Sequence, residues 1–166
     1  MEVNIALLTV TDTRNIDTDK SGAILVKKIQ EQNHKLIDRK IVKDNKSEIK
    51  AVLLNWLKNN KIDVIITTGG TGLTGRDITP EALNEIADKQ IPGFGEIFRY
   101  YSLETVGTSS IQSRACAVLA NGKYIFALPG SSGGVTDAWD KILLKQLDIN
   151  HKPCNFVELF PRLKEK

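Results

Sequence analysis

The chain has 166 residues, of which 41% are apolar and 26% are charged, and it carries a net charge of +3. This composition is that of an ordinary globular domain and excludes disordered and fibrous proteins. The small net charge, with basic residues interspersed among acids, does not predict a nucleic-acid partner. No apolar run approaches the ~18 residues of a membrane span, and the first residues lack a signal-peptide pattern. Two cysteines without metal-ligand spacing favour a reducing compartment, so we expect a cytoplasmic protein.

The first half of the sequence alternates between strand and helix patterns. A nearly continuous apolar run predicts a strand over residues 3–10 that is covered on both faces. A helical pattern follows over residues 21–33, with Ser21 as its expected cap, and a weaker alternating strand over residues 36–42 belongs near a sheet edge. Asn45 then opens an amphipathic helix.

The second half continues the alternation less regularly. Residues 63–68 predict a buried strand, and Thr79 is the expected N-cap of a helix that runs to about residue 88. Residues 91–108 combine glycines with aromatic side chains and receive no assignment. The remaining elements are a short helix near residues 111–119, a turn at 121–122, a buried strand over 124–128 and a helix over 135–147.

This alternation predicts an α/β fold, a three-layer αβα sandwich with a mostly parallel central sheet, formed by a single domain over residues 1–166. In such folds ligands bind beyond the carboxyl ends of the strands. That rule selects, as candidate ligand-binding segments, the four that follow predicted strands, at residues 11–14, 43–45, 68–77 and 129–134.

A glycine-rich segment follows the central predicted strand. Glycines allow the backbone to approach a ligand and to turn several N–H groups toward one anion, although a tight turn alone also uses glycine. The letters of residues 70–75 fit G-x-G-x-x-G, but no helix follows directly, and a Walker A loop would require a lysine that is absent. We therefore expect phosphate binding by Thr68, Gly69, Gly70, Thr71 and Gly72.

A second segment of the same kind follows the last predicted strand. The sequence of this segment also fits the G-x-S-x-G pattern of a nucleophile elbow around Ser132. In that case His151 would have to serve as the base. His34 and His151 are, however, expected to be ordinary surface residues. We favour binding of the same anion by Pro129, Gly130, Ser131, Ser132 and Gly133.

Two acids lie beside these segments. A carboxylate next to a phosphate site repels the ligand unless a divalent cation lies between them, which makes Asp77 and Asp44 candidate metal ligands. Arg76 offers a planar donor for a second phosphate. Helix capping is the alternative role for each acid. For Asp44, the sequence is equally compatible with metal binding and with helix capping.

A polar loop near the N-terminus links the first strand to the first helix. It supplies further candidates for contact with a charged substrate, although an ordinary solvated connection has the same composition. The candidates are Asp12, Arg14, Ser21 and Gly22.

These motifs resemble a known family. The segment T-G-G-T-G at 68–72, followed by R-D-I-T-P-E-A at 76–82, is similar to the signature of the molybdenum cofactor biosynthesis proteins that include MoaB, MogA and the gephyrin G domain. The motifs S-R-A at 113–115 and L-P-G-S at 128–131 also recur there. The resemblance spans nearly the whole chain and is strongest to the MoaB branch.

The resemblance implies an activity, the transfer of AMP from ATP to the terminal phosphate of molybdopterin with Mg²⁺ present and pyrophosphate released. It implies that Asp77 and Asp44 match two acidic positions tied to that activity and that residues 69–72 contact phosphates. It further implies a homo-oligomer, trimeric or hexameric, and contacts with other proteins of the pathway. The alternative that it leaves open is a non-catalytic molybdopterin-binding or scaffold protein of the same pathway.

Overall fold

The computed structural model describes residues 1–165 and contains one central sheet of six strands. The strands are β1 (Asn4–Val10), β2 (Lys35–Val42), β3 (Val64–Thr68), β4 (Lys89–Gln90), β5 (Cys116–Ala120) and β6 (Lys123–Leu128), in the spatial order β2-β1-β3-β6-β5-β4. Strands β1, β2, β3 and β6 are parallel, whereas β5 runs antiparallel to both of its neighbours. The predicted edge position of the second strand is confirmed.

Helices cover both faces of this sheet. They are α1 (Lys20–Glu31), α2 (Lys46–Lys58), α3 (Thr79–Asn84), α4 (Pro92–Val106) and α5 (Ser132–Ala138), which continues through a π-helical segment (Trp139–Leu143) into α6 (Leu144–Gln146). Two 3₁₀ helices span Gly107–Gln112 and Val157–Arg162. Within residues 1–165, no helix combines the length and the apolar composition needed to cross a membrane.

Alternate residues of β1 point into two separate cores. Ile5 and Leu7 pack in one core with side chains of α1, α4 and α5, whereas Ala6 and Leu8 pack in the other with α2 and α3. A strand covered on both faces needs apolar side chains at consecutive positions, which explains the unbroken apolar run in the sequence. The predicted three-layer sandwich with a mostly parallel sheet is confirmed.

Several local predictions were wrong. Residues 111–119 do not form a helix, because they divide between the first 3₁₀ helix and β5, and the unassigned stretch contains α4. Asp19, not Ser21, caps α1 by accepting a hydrogen bond from the amide of Gly22. Thr79 is the first residue of α3 and donates its hydroxyl to the carbonyl of Gly69 at 2.9 Å instead of capping the helix.

Candidate functional site

A large cleft lies at the carboxyl ends of three adjacent parallel strands, β1, β3 and β6. The chain passes from β1 outward to β2 and then returns to β3 on the other side of β1, so this is the point at which the strand order reverses. Such switch points are where open α/β sheets bind ligands. The cleft has a volume of about 1090 Å³, slightly above the roughly 300–1,000 Å³ that is typical of ligand pockets.

The two glycine-rich segments touch each other in the cleft. The amide of Gly69 donates to the carbonyl of Leu128 at 3.0 Å, and the hydroxyl of Thr68 donates to the carbonyl of Pro129 at 2.7 Å. A Cβ on Gly130 would lie 3.2 Å from the Cα of Gly69. Segments that are about 60 residues apart in sequence therefore border one cleft, as expected, and their binding of one anion stays a prediction.

The conformation of the first segment requires glycine at two positions. Gly69 has a φ of +101°, and a Cβ there would lie 2.1 Å from the carbonyl oxygen of Val10. Gly70 has a φ of +66° and faces the Thr79 hydroxyl and a carboxylate oxygen of Asp44. Side chains are excluded at this turn, so the backbone itself forms this part of the cleft wall.

The second segment presents the start of α5 to the cleft. Ser131 is the N-cap, and its Oγ accepts a hydrogen bond from the amide of Gly134 at 3.1 Å. Ser132 and Gly133 follow as the first residues of the helix, where backbone amides have no acceptor within the helix. Free amides at the start of a helix, together with the helix dipole, favour a negatively charged group.

Asp77 lines the cleft and is tied into its own loop. Its carboxylate accepts hydrogen bonds from the hydroxyl of Thr74 at 2.6 Å and from the amide of Thr74 at 2.9 Å. Burial by itself would raise the pKa of Asp77, but these bonds and one from the amide of Gly72 outweigh it, so the pKa lies below its usual value. The carboxylate is thus ionised at neutral pH. It does not cap α3, which has no side-chain cap.

Asp44 lies near two other carboxylates. Burial raises its pKa, the nearby charges of Asp12 and Asp77 raise it further, and the charge of Arg76 opposes them. Asp44 does not cap α2, because Asn45 accepts the hydrogen bonds of the first free amides of that helix. The capping alternative for Asp44 was therefore wrong, and its side chain faces the cleft.

Asp12 and Arg76 form an ion pair that joins the loop after β1 to the loop after β3. The hydrogen bond from Arg76 is the main reason that the pKa of Asp12 lies below its usual value. Asp12 also accepts a hydrogen bond from the backbone amide of Asp44 at 3.2 Å. Arg76 keeps an exposed guanidinium that faces the cleft.

The N-terminal loop contributes unequally to the site. Arg14 lines the cleft and donates to the carbonyl of Gly130 at 3.2 Å, which connects this loop to the second glycine-rich segment. Ser21 also lines the cleft and donates its hydroxyl to Asp19 at 3.2 Å. Gly22 lies behind the wall, where a Cβ would overlap the carboxylate of Asp19.

Most of the predicted site residues face the cleft together. Asp12 and Gly22 do not line it: Asp12 pairs with Arg76, which does, whereas Gly22 donates its amide to the buried Asp19. The predicted residues that line the cleft are Arg14, Ser21, Asp44, Thr68, Gly69, Gly70, Thr71, Gly72, Arg76, Asp77, Pro129, Gly130, Ser131, Ser132 and Gly133.

One wall of the cleft was missed by the sequence analysis. It is formed by the end of α4 and the following 3₁₀ helix, and it is mostly hydroxyl-bearing. The signal in the sequence was the density of serine and threonine between residues 102 and 113, which begins in the unassigned stretch and extends into the helix predicted near residues 111–119. The side chains of this wall are Phe98, Ser102, Thr105, Val106, Ser109, Ser110, Gln112 and Ser113.

The structure does not support a serine hydrolase. Ser132 lines the cleft, but His151 lines a separate cavity of about 490 Å³ together with Phe94 and Phe156. His34 is buried, contrary to expectation, and its Nδ1 accepts a hydrogen bond from the amide of Val3 at 3.3 Å. Neither histidine of the sequence is placed to act as a base for Ser132.

The chain matches one family of known proteins over most of its length. The family described as "Probable molybdopterin binding domain" matches residues 6–149. A molybdenum cofactor biosynthesis protein B from Escherichia coli K12 is 45% identical over 161 residues, which cover 97% of this chain and 93% of the relative. The chain belongs to the MoaB/MogA family of molybdenum cofactor biosynthesis proteins.

Other members of the MoaB/MogA family match over most of their length. A molybdenum cofactor biosynthesis protein B from Staphylococcus aureus MRSA252 is 47% identical over 149 residues, covering 88% of each chain. A crystal structure of a molybdenum cofactor biosynthesis protein B superposes with a TM-score of 0.90 and 39% identity, covering all of this chain and 98% of that one. The crystal structure of the tungsten cofactor synthesizing protein MoaB from Pyrococcus furiosus superposes with a TM-score of 0.78 and 34% identity. The match covers 87% of this chain and 92% of that one.

Proposed function

We propose that the chain is a molybdopterin adenylyltransferase, which transfers AMP from ATP to the terminal phosphate of molybdopterin and releases pyrophosphate. Membership of the family assigns the chain to molybdenum cofactor biosynthesis, and the AMP transfer is our proposal. One observation carries it. Two glycine-rich turns from different strands meet in one large cleft whose rim holds Asp44, Arg76 and Asp77.

The chemistry requires charge stabilisation more than proton transfer. The attacking group is a phosphate monoester that is already ionised near neutral pH, so a strong general base is not needed. The barrier arises from bringing two anions together and from the charge that develops on the leaving pyrophosphate. Preformed amides around Gly69 and at the start of α5 oppose that charge without reorganising, which is an efficient way to stabilise a transition state.

The acidic residues fit a magnesium ion. Mg²⁺ is commonly bound by one or two carboxylates together with substrate phosphates, and Asp44 and Asp77 both face the cleft. Within residues 1–165 there is no cluster of three or more His, Cys, Asp or Glu that could hold a metal by itself, so we propose that substrate completes the site. When bound, Mg²⁺ would neutralise phosphate charge. Asp44 in particular lies where neighbouring carboxylates concentrate negative charge.

Arg76 is proposed to orient a phosphate group. Its side chain is 68% exposed and lines the cleft, and the ion pair with Asp12 restrains its guanidinium there. A planar guanidinium can donate two parallel hydrogen bonds to a phosphate. Asp12 therefore acts as a support for Arg76, and Arg14 stabilises the opposite turn through Gly130.

The test is a pyrophosphate-release assay with molybdopterin, ATP and Mg²⁺, comparing wild type with Asp77→Asn and Asp77→Ala. Asparagine keeps an oxygen that can accept the hydrogen bonds of Thr74 but removes the charge. We expect both variants to lose AMP transfer by at least about a hundredfold, with molybdopterin binding largely retained. Asp17→Asn, an exposed acid on the N-terminal loop, is the matched control and should behave as wild type.

The same assay separates the alternatives. Wild type that binds molybdopterin but releases no pyrophosphate from ATP would identify the non-catalytic binding or scaffold protein instead. Wild-type turnover in Asp77→Asn would remove the proposed metal role of that residue.

We also propose that the chain self-associates as a trimer or a hexamer and contacts other proteins of the pathway. Exposed apolar side chains on α4 and the following 3₁₀ helix, at Tyr100, Leu103, Val106 and Ile111, are consistent with a covered surface. Light scattering during gel filtration tests the proposal, since a mass equal to one chain of 18.4 kDa would contradict it.

A further inference from the structure

Arg114 binds, through its side chain, the backbone of the loop that carries Asp77. It lies just before β5, where its backbone amide donates to the carbonyl of Thr71 at 2.9 Å. Its Nε donates to the carbonyl of Gly72, and its Nη2 donates to the carbonyl of Asp77, both at 2.7 Å. Its guanidinium also pairs with both carboxylate oxygens of Glu81 in the first turn of α3.

These hydrogen bonds connect both ends of one loop to the same side chain. Gly72 and Asp77 are the first and last residues of the segment over 72–77, and a single planar group binds the carbonyls of both. Glu81 fixes the orientation of that group and ties it to α3. Arg114 thereby helps to set the distance between the glycine-rich turn and the Asp77 backbone, together with the bonds from Thr79 to the carbonyls of Gly69 and Gly70.

Arg114 itself is not part of the cleft surface. It is absent from the lining of the cleft, and its side chain is only 30% exposed, with its donors bound to loop carbonyls and to Glu81. It therefore cannot touch a substrate that occupies the cleft without a rearrangement of the loop. Any contribution to the reaction must pass through the position of the residues that it holds.

We propose that Arg114, oriented by Glu81, is a positioning residue that sets the placement of Asp77 and of the loop over residues 72–77 relative to substrate phosphates. The inference rests on the proposed adenylyl transfer for its kinetic consequence, but the loop geometry can be measured without it. Lysine cannot replace arginine here, because a single ammonium group cannot serve two carbonyls and a carboxylate in one plane.

The experiment compares Arg114→Lys and Glu81→Gln with Glu85→Gln as a matched control. Glu85 is also a glutamate at α3, but it pairs with Lys46 and Lys50 away from the loop. In the pyrophosphate-release assay we expect Arg114→Lys to lower kcat by about a hundredfold, since small misplacements of reacting groups have such effects. The KM for ATP should change little. Glu81→Gln should give a smaller loss of kcat, and Glu85→Gln should match wild type.

Hydrogen exchange of the backbone amides provides a readout that does not depend on activity. We expect amides within residues 72–77 to exchange faster in Arg114→Lys and Glu81→Gln, with exchange in β1, β3 and β6 unchanged. Unchanged kcat together with unchanged loop exchange in Arg114→Lys would overturn the proposal. If Arg114→Lys does not fold, Glu81→Gln decides by the same criteria.

The two proposals fail in different ways. Wild type without pyrophosphate release would contradict the adenylyltransferase, and loop exchange would still decide the role of Arg114. Full recovery of kcat in the charge-swapped double variant Arg114→Glu, Glu81→Arg would overturn the positioning role. In that case the ion pair alone, and not the bonds to the loop carbonyls, would be what matters.

Discussion

The buried acid Asp19 is the clearest case of a single residue that supports the cleft from within. Its side chain is fully buried and accepts hydrogen bonds from the hydroxyl of Thr9 at 2.6 Å, from the amide of Gly22 at 2.9 Å and from the guanidinium of Arg39 at 2.9 Å. A fourth bond comes from Ser21 on the cleft wall. A buried carboxylate is tolerated only when it is satisfied in this way.

Asp19→Asn is therefore expected to destabilise the fold. The amide leaves the guanidinium of Arg39 without its charge partner and turns an N–H₂ group toward some of the existing donors. We expect a loss of about 3 kcal/mol in the free energy of unfolding, the range measured when one partner of a buried ion pair is removed. Urea denaturation at pH 7 measures it, and Asp17→Asn, an exposed neighbour, should stay within about 0.5 kcal/mol of wild type.

The pH dependence of that difference follows from the sign of the pKa shift. Burial by itself would raise the pKa of Asp19, but the hydrogen bonds from Thr9, Gly22 and Arg39 and the charge of Arg39 outweigh it, so the pKa lies below the ordinary 3.8. A lowered pKa contributes stability that is fully present above pH 3.8 and is lost as the pH falls through the folded-state value. The gap between wild type and Asp19→Asn should therefore narrow in acid. A constant gap would contradict an ionised Asp19.

At the scale of elements, the junction between β3 and the loop that follows depends on glycine at one position and not at another. Gly69 has positive φ and lies against the carbonyl of Val10 at the end of β1, whereas Gly75 in the same loop has open space where a Cβ would be. We expect Gly69→Ala to cost at least about 2 kcal/mol, because the backbone conformation is strained for alanine. Gly75→Ala should change stability by less than about 0.5 kcal/mol. Urea denaturation of both variants tests the contrast, and equal effects would contradict it.

The elements that the sequence predicted well are those whose pattern is set by burial alone. Strands β1 and β3 lie between two helical layers, so their apolar runs are visible without knowledge of their neighbours. The segments at their carboxyl ends could then be assigned to the site, because parallel strands end at one edge of the sheet. The side chains that line the cleft from these segments were predictable for that reason.

The elements that were missed depend on contacts between distant parts of the chain. Gly93 and Gly95 indicate a loop, yet they lie in α4, where a Cβ on Gly95 would approach the carbonyl of Ala115 at 2.5 Å. Strand β5 is rich in small apolar residues that also suit a helix. It is a strand because the turn at Asn121 and Gly122, with φ of +46° and +69°, pairs it with β6. The α4 wall of the cleft could not be predicted, since it exists only once α4 packs on the sheet.

On the scale of the whole molecule, the cleft connects parts of the chain that are otherwise held together through the sheet. A polyphosphate bound there would contact turns that follow β1, β3 and β6, so its binding energy would add to the stability of the folded chain. Adenosine has no phosphate group and therefore carries no negative charge. If backbone amides and Arg76 bind the phosphates, as we propose, stabilisation should depend on the phosphate groups and not on the nucleoside.

Thermal unfolding with ATP, AMP or adenosine at equal concentration tests this directly. With ATP at a hundred times its dissociation constant we expect Tm to rise by roughly 5 to 10 °C, since such binding adds about 2.7 kcal/mol to a chain of this size. AMP should give a smaller rise and adenosine almost none. Chelation of Mg²⁺ should reduce the rise with ATP, because Asp44 and Asp77 then face the phosphates without a cation between them. Equal shifts with ATP and adenosine would show that the glycine-rich turns do not bind phosphate, and the assignment of the cleft to AMP transfer would lose its physical basis.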